Sequence, residues 1–254
     1  MQNSKEKYIV ITGASSGIGR EIAKAFAAKK KNLIITARRE VLLAELKKEL
    51  LQIAPEISVV IIPADLSSAD RVIAYYEELE PYDIETFINN AGFGYAGKTE
   101  DLDIVKAAAI INVNVQAVAL LTTLYVKDYK DRAGAQLINI SSAGGYIVVP
   151  EEVLYSATKF FVSAFTEGIA RELQAEGAPL KAKVMAPANT ETGFAGIATD
   201  TENFNYKEAF TAYHQPEQVA QFVMQLWESD AVLGIVDRKT FEFTLSGPRV
   251  PYAG

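Results

Sequence analysis

The chain has 254 residues, 49% hydrophobic and 22% charged, a composition that excludes disorder and collagen-like order and supplies a core for one large α/β domain or two small ones. It has no cysteine and one histidine, His214, so disulfides, thiolate metal sites, cysteine nucleophiles and paired-imidazole zinc sites or proton relays are excluded, and no metal is assigned. With 25 basic against 32 acidic residues the net charge is -7, a field that repels phosphate backbones and argues against a nucleic-acid partner.

Short β-branched runs alternate with longer helical patterns along the chain. A strand at 8–12 leads to a helix at 17–29, a strand at 32–36 to a helix at 39–51, and a strand at 58–63 to a helix at 69–80. A strand at 86–89 then leads to a long helix at 104–129, one at 136–140 to a helix at 155–176, and one at 181–185, across a weakly periodic stretch, to a helix at 216–229. A seventh strand at 241–245 closes the set. Strands alternating with helices imply right-handed crossovers, so the expected fold is a single doubly wound Rossmann-type α/β domain, with a mostly parallel seven-stranded sheet flanked by helices on both faces. No linker, charge block or repeat divides residues 1–254, which read as one domain. The stretch 188–215 carries Phe194, Phe204, Tyr206, Phe210 and Tyr213 and reads as a substrate lid.

The polar start and the short apolar run behind it lack the h-region of an export signal, and with the absent cysteines this gives a cytoplasmic expectation. The apolar segment 104–129 is interrupted by Lys106, Asn112, Asn114 and Gln116, and is read as a buried helix with no membrane partner.

Between the first strand and helix stands Thr12-Gly13-Ala14-Ser15-Ser16-Gly17-Ile18-Gly19. Glycines there permit a tight turn and let the N–H groups of Gly13, Ser15, Ser16, Gly17, Ile18 and Gly19 approach a pyrophosphate at a helix N-terminus. A plain strand-to-helix turn is the alternative. The second strand ends in Thr36-Ala37-Arg38-Arg39, with no carboxylate to grip a ribose 2′-hydroxyl. Two guanidiniums suit a 2′-phosphate, so NADP(H) is the expected cofactor; the alternative is two solvated arginines partly neutralised by Glu40. Asp65, followed by Leu66 just past the third strand, is placed to accept the adenine amino group or else to cap the next helix.

Of the 12 tyrosines only Tyr155 has a lysine four residues on, Lys159, which puts both on one helix face. A phenol of pKa near 10 is a poor base unless a cation favours its ionised form, and Lys159 is the nearest candidate. Ser142, ending the fifth strand, can meet Tyr155 across the sheet edge where open α/β sheets bind ligands.

On these residues the chain resembles the short-chain dehydrogenase/reductase family, through T-G-x-x-x-G-x-G at 12–19, N-N-A-G at 89–92 and Y-x-x-x-K at 155–159, in order from about residue 7 to about 195. The resemblance implies an NADP-dependent oxidoreductase that moves a hydride between the cofactor and a carbonyl or secondary alcohol. Tyr155 would be the general acid/base and Ser142 would orient the carbonyl oxygen. Lys159 would lower the phenol pKa and hold the nicotinamide ribose, and Asn114 would anchor a water for proton relay. Asn112 lies two positions early for that role. The resemblance also implies cofactor contacts at Asn90, Ala91, Gly92, Pro187, Thr190 and Thr192. Two departures stand out: Ala188 replaces a glycine after Pro187, which would be strained if that position needs positive φ, and Ala117 stands where a glycine is common. Phe93, Tyr95, Tyr146, Val148, Val149 and the lid aromatics suggest a small, fairly apolar substrate. The long helices 104–129 and 155–176, with Phe160, Phe161, Phe165 and Ile169, suggest a homodimer or homotetramer. Two rival readings are a catalytically silent NADP(H)-binding regulator and a hydrolase using Ser142 with His214, although Ser142 lacks a G-x-S-x-G elbow.

Overall fold

Alternate apolar residues cannot serve a strand buried on both faces, and β1 (Lys7–Thr12) accordingly runs apolar almost throughout, as do β2 (Asn32–Thr36) and β5 (Gln136–Ile140). The computed structural model describes residues 6–201 and 204–253. The remaining strands are β3 (Val59–Ile61), β4 (Asp83–Asn89), β6 (Lys181–Ala186), β7 (Leu233–Val236) and β8 (Phe243–Ser246). They form one sheet in the order β3-β2-β1-β4-β5-β6-β7-β8, parallel except for the last pair.

The sheet therefore has eight strands, not seven. The missed strand is β7, a four-residue run interrupted by Gly234, too short to show a period of its own. The glycine has a packing reason: a Cβ there would stand 3.0 Å from the Phe243 ring and 3.3 Å from Met185 Sδ. The predicted last strand is β8, reached by a tight return in which Phe241, at φ 57°, donates its N–H to the Asp237 carbonyl, so it pairs antiparallel at the sheet edge.

Helices α1 (Gly17–Ala28), α2 (Glu40–Ile53) and α9 (Pro216–Glu228) cover one face, burying Ile22, Phe26, Leu43, Leu46, Val219 and Val223. On the other face α3 (Ala69–Glu77), α5 (Val118–Tyr129) and α6 (Val153–Ala175) bury Val72, Tyr75, Leu121, Tyr125 and Leu173. A buried polar ladder ties that layer to the central strands. Asn89 Nδ2 donates to Asn139 Oδ1 at 2.9 Å and to Thr122 Oγ1 of α5 at 3.2 Å, and Asn139 Nδ2 donates to Thr166 Oγ1 of α6 at 2.9 Å. Because such groups are costly to bury unpaired, the ladder fixes where the two helices lie against β4 and β5.

The predicted helix 104–129 is interrupted: α4 (Ile104–Ile111) passes through a π-helical turn (Asn112–Ala117) into α5. The expectation that it is buried fails for most of it. Only 28% of its apolar window is buried, and Ile104 and Val105 are 81% and 76% exposed, because one stripe suffices to pack on the layer beneath. By length and composition alone, this helix is long and apolar enough to cross a membrane.

On β6, Lys183 is buried and its ammonium donates to the carbonyls of Leu226, Trp227 and Ser229 at 2.7–3.1 Å, closing the C-terminus of α9. Lys183→Met is expected to leave these carbonyls without a donor and lower stability by about 2–4 kcal/mol, read as an earlier midpoint in denaturant with little change in slope.

The segment 188–215 is more ordered than its weak periodicity suggests: α7 (Phe194–Thr199) and α8 (Tyr206–Ala209) lie within it, residues 202 and 203 lying outside the described residues. Its two feet meet in a bridge between Thr190 and His214, where His214 N–H donates to the Asn189 carbonyl and Glu191 N–H to the His214 carbonyl, both at 2.9 Å.

Candidate active site

The strand order reverses between β1 and β4, whose parallel neighbours β2 and β5 continue in opposite directions, and this opens a crevice at their C-terminal ends. The glycine turn and Asn90-Ala91-Gly92 meet there. Thr12 Oγ1 accepts the N–H groups of Asn90 and Ala91 at 3.0 and 3.1 Å, and Asn90 Nδ2 returns to the carbonyls of Thr12 and Gly13 at 2.9 and 3.2 Å. Gly13 and Gly17 have φ of +68° and +58°, which favours glycine. A Cβ on Gly13 would stand 2.8 Å from Ala91 Cα, and one on Gly17 would stand 3.2 Å from the Thr192 side chain. Ser16, the N-cap residue of α1, makes no side-chain cap and the first turn has no acidic residue, so no side chain there neutralises the positive end of the helix. This cradle fits a dinucleotide pyrophosphate. Gly19 is packed so closely on Asn90 Nδ2 and the Gly13 carbonyl that a Cβ would overlap both. Gly19→Ala is therefore expected to cost about 1–3 kcal/mol of stability and to weaken dinucleotide binding, measurable by thermal melts with and without cofactor.

Arg38 and Arg39 are exposed, and Arg39 reaches back over the turn, its guanidinium donating to Ser15 and Ser16 hydroxyls at 3.3 and 3.2 Å. Asp65 accepts the Ser67 N–H at 3.2 Å and its hydroxyl at 3.0 Å and pairs with Arg71, so it closes a turn ahead of α3, whose N-cap position is Ser68, and does not itself cap the helix. The Leu66 side chain is buried in the core at 6% exposure. Pro187 accepts the Ala143 N–H at 2.8 Å, Thr190 is buried with its hydroxyl on the Ala188 carbonyl, and Thr192 seats against Gly17. Ala188 is not strained: among the described residues only Lys30, Glu151, Asp200 and Phe241 are non-glycines with positive φ.

α6 carries Tyr155 and Lys159 on one face, as their spacing requires. The Ser142 hydroxyl accepts the Gly144 N–H at 3.0 Å and reaches the Tyr155 phenol. Lys159 is buried and donates to the Ile140 carbonyl at 2.8 Å, its Nζ 5.8 Å from the centre of the Tyr155 ring. The phenol is not lowered by the protein alone. Burial pushes its pKa up and the Glu152 carboxylate adds to this, while the Ser142 hydroxyl opposes them. Burial also pushes Lys159 down to about 8, so it is still mostly an ammonium at pH 7, drawn to a carbonyl rather than to the phenol. Asn114 is buried in the π turn: its side chain exchanges hydrogen bonds with the Phe93 backbone at 2.8 and 3.1 Å and donates to Thr158 Oγ1 at 3.1 Å. Asn112 is only half-buried.

Phe194 of α7 packs on Tyr155, ring centres 5.3 Å apart, and Gly94 makes room for it, since a Cβ there would stand 2.7 Å from the Phe194 ring. The other aromatics of segment 188–215, Phe204, Tyr206, Phe210 and Tyr213, pack on one another. His214 lies between Phe222 and Phe241, where burial lowers its pKa, and the structure does not bring it to Ser142, which removes the hydrolase arrangement.

A family model described as short chain dehydrogenase matches residues 7–203. The chain belongs to the short-chain dehydrogenase family. It is 31% identical over 206 residues to a protein of Gallus gallus named dehydrogenase/reductase SDR family member 11, covering 77% of this chain and 79% of that one. Among solved structures it is similar to a short-chain dehydrogenase from Sphingobium yanoikuyae in complex with NADPH, with a TM-score of 0.83, 25% identity and coverage of 92% and 89% of the two chains. It shares its fold with a short chain dehydrogenase/reductase SDR from Burkholderia phymatum in complex with NAD, with a TM-score of 0.78, 23% identity and coverage of 92% and 90%. As a family member the chain is an oxidoreductase built for a nicotinamide cofactor. Four residues around this short-chain dehydrogenase site were not singled out by role in the sequence. Thr12 and Thr158 orient Asn90 and Asn114, and each stands inside a recognised motif. Gly94 follows the N-N-A-G motif directly, and Ile140, which holds Lys159 through its carbonyl, acts by a backbone group that no side-chain pattern reveals.

Proposed function

We propose that the chain reduces a small, fairly apolar carbonyl compound with NADPH, the reverse reaction oxidising a secondary alcohol. The observation that carries this is Tyr155 standing with the Ser142 hydroxyl at its phenol and Lys159 buried one turn away, at the mouth of the glycine cradle. Gly13, Ser15, Ser16, Gly17, Ile18 and Gly19 would hold the pyrophosphate. Asn90, Ala91, Gly92, Pro187, Thr190 and Thr192 would line the nicotinamide side, with Asp65 and the Leu66 backbone toward the adenine. When bound, the cofactor supplies the hydride.

The chain's own residues handle the proton. Burial keeps the Tyr155 phenol protonated, which suits donation to an alkoxide forming on the substrate oxygen. Ser142 is placed to hydrogen-bond that same oxygen. Lys159, already an ammonium, offers positive charge that favours the phenolate once the proton has left, and Asn114 is fixed where it would hold a relay water.

The reading of NADP(H) over NAD(H) rests on Arg38 and Arg39 and on the absence of a carboxylate at the end of β2; the similar NADPH complex agrees with it. Segment 188–215 is read as the substrate lid, with Phe194 against Tyr155 as its apolar wall. The exposed apolar residues Ile104, Val105 and Phe160 support a homodimer or homotetramer, to be measured by light scattering. No membrane or nucleic-acid partner and a cytoplasmic location complete the reading, supported by the acidic charge and the absent cysteines. The test is NADPH oxidation over a panel of ketones, aldehydes and diketones. Turnover of at least one is expected, whereas tight NADPH binding with no turnover across the panel would leave a silent NADP(H)-binding regulator instead.

A further inference from the structure

Beyond the catalytic pair, α6 continues a polar stripe at intervals of four residues: Tyr155, Lys159, Ser163, Glu167. Glu167 is fully buried, and no step of the reaction uses it. A carboxylate in such a place requires donors, and it has three. The Tyr146 hydroxyl donates to Oε1 at 2.5 Å, and the backbone N–H groups of Arg249 and Val250, in the C-terminal segment after β8, each donate to Oε2 at 2.6 Å. Arg171, one turn further on, donates to the Val250 carbonyl at 3.2 Å and lies over the Tyr252 ring.

Tyr146 is the residue that ends the single turn of 3-10 helix (Ala143–Gly145) which Ser142 begins. The turn is rigid within itself: Ser142 Oγ accepts the Gly144 N–H, the Ser142 carbonyl accepts the Gly145 N–H at 2.8 Å, and the Ala143 carbonyl accepts the Tyr146 N–H at 3.2 Å. Gly145 is pressed against α6, with no space for a Cβ between Ser141 Oγ, the Lys159 carbonyl and Ser163 Oγ. At its start the turn is held by Ser141, whose hydroxyl lies 2.8 Å from Ser163 Oγ and donates to the Lys159 carbonyl at 2.9 Å. At its end it is held by Glu167 through Tyr146.

We propose that Glu167 is a positioning residue that clamps the segment after β8 to the Ser142 turn, so that the backbone at Arg249 and Val250 sets the placement of the Ser142 hydroxyl. The kinetic part of this proposal rests on the carbonyl-reductase reading; the structural part does not. If Ser142 drifts, the phenol loses the hydroxyl that favours its ionised form, while Glu152 and burial still oppose ionisation. The kinetic inflection for alcohol oxidation, which requires the phenolate, then moves to higher pH. A residue that merely anchored the C-terminus would change stability and leave that inflection in place.

The experiment uses the full chain with Glu167→Gln, Tyr146→Phe and Val250→Pro, the last of which removes a single N–H donor to the carboxylate outside any helix or strand. Hydrogen exchange is followed at the Gly144 and Gly145 amides, and kcat, KM and the pH profile are followed on the best substrate of the panel. Faster exchange at the turn is expected in all three variants. So is a kcat about tenfold lower in Glu167→Gln and Tyr146→Phe, with an inflection shifted to higher pH and NADPH affinity within about twofold of the parent. Unchanged exchange and an unchanged inflection in folded variants would overturn the proposal. If Glu167→Gln does not fold, the other two decide. If the parent chain turns over no carbonyl, the reductase reading fails, and the exchange measurement alone decides the clamp.

Discussion

Tyr155→Phe is expected to lower carbonyl reduction by about 10³-fold, within the range of general acid catalysis, with NADPH affinity nearly unchanged. The substitution removes one oxygen and keeps the ring that packs against Phe194 at 5.3 Å, so the site should keep its shape. What disappears is the proton donor beside the Ser142 hydroxyl. Because burial holds the phenol's pKa above its ordinary value, the parent's reduction rate should stay level from neutral into mildly alkaline pH and fall only when the phenol ionises; oxidation of the alcohol should rise over the same interval. Single-turnover rates with premixed NADPH for reduction, and with NADP+ for oxidation, check these points. A Tyr155→Phe rate within tenfold of the parent would show that another group delivers the proton.

The second large effect is expected at the end of β2. Arg38→Ala with Arg39→Ala should raise the Kd for NADPH by about 10²-fold and that for NADH by no more than about threefold, the difference being the loss of charge-assisted hydrogen bonds to a 2′-phosphate. The single variants should separate the two guanidiniums. Arg39 already spends donors on the Ser15 and Ser16 hydroxyls, so its loss also loosens the glycine turn and should weaken NADH slightly, whereas Arg38→Ala should act on NADPH alone. Equal loss for the two cofactors, measured by fluorescence titration at fixed ionic strength, would refute the 2′-phosphate assignment.

The sequence made this site legible because each motif is local: the glycine turn, N-N-A-G and Tyr155 with Lys159 each lie within eight residues, and the strand–helix alternation places them at one sheet edge. What it hid was of four kinds. β7 is four residues long and broken by Gly234, so no period marks it. The electrostatics of Tyr155 depend on burial and on where Lys159 points, and a spacing of four cannot tell a lysine that faces a phenol from one drawn to the Ile140 carbonyl. Asp65 is equally fit by sequence to bind a ligand or to cap a helix, and only the structure shows that it closes a turn onto Ser67 and pairs with Arg71, while Ser68 takes the N-cap position. The contact between Glu167 and residues 249–250 spans more than 80 positions and uses backbone donors, which leave no trace in side-chain patterns.

The bridge between Thr190 and His214 has a consequence for how such a chain can diversify. The excursion between them leaves and rejoins the body at neighbouring points, so its length is decoupled from the sheet. Closing a flexible loop costs only about 0.6 kcal/mol more for each doubling of its length, far less than the cost of disturbing a packed strand. On the proposed reading of this segment as the substrate lid, new selectivity can thus be written into one interchangeable insert, by exchanging α7 and α8 as a cassette between the same two feet, while the cradle and Tyr155 are inherited untouched.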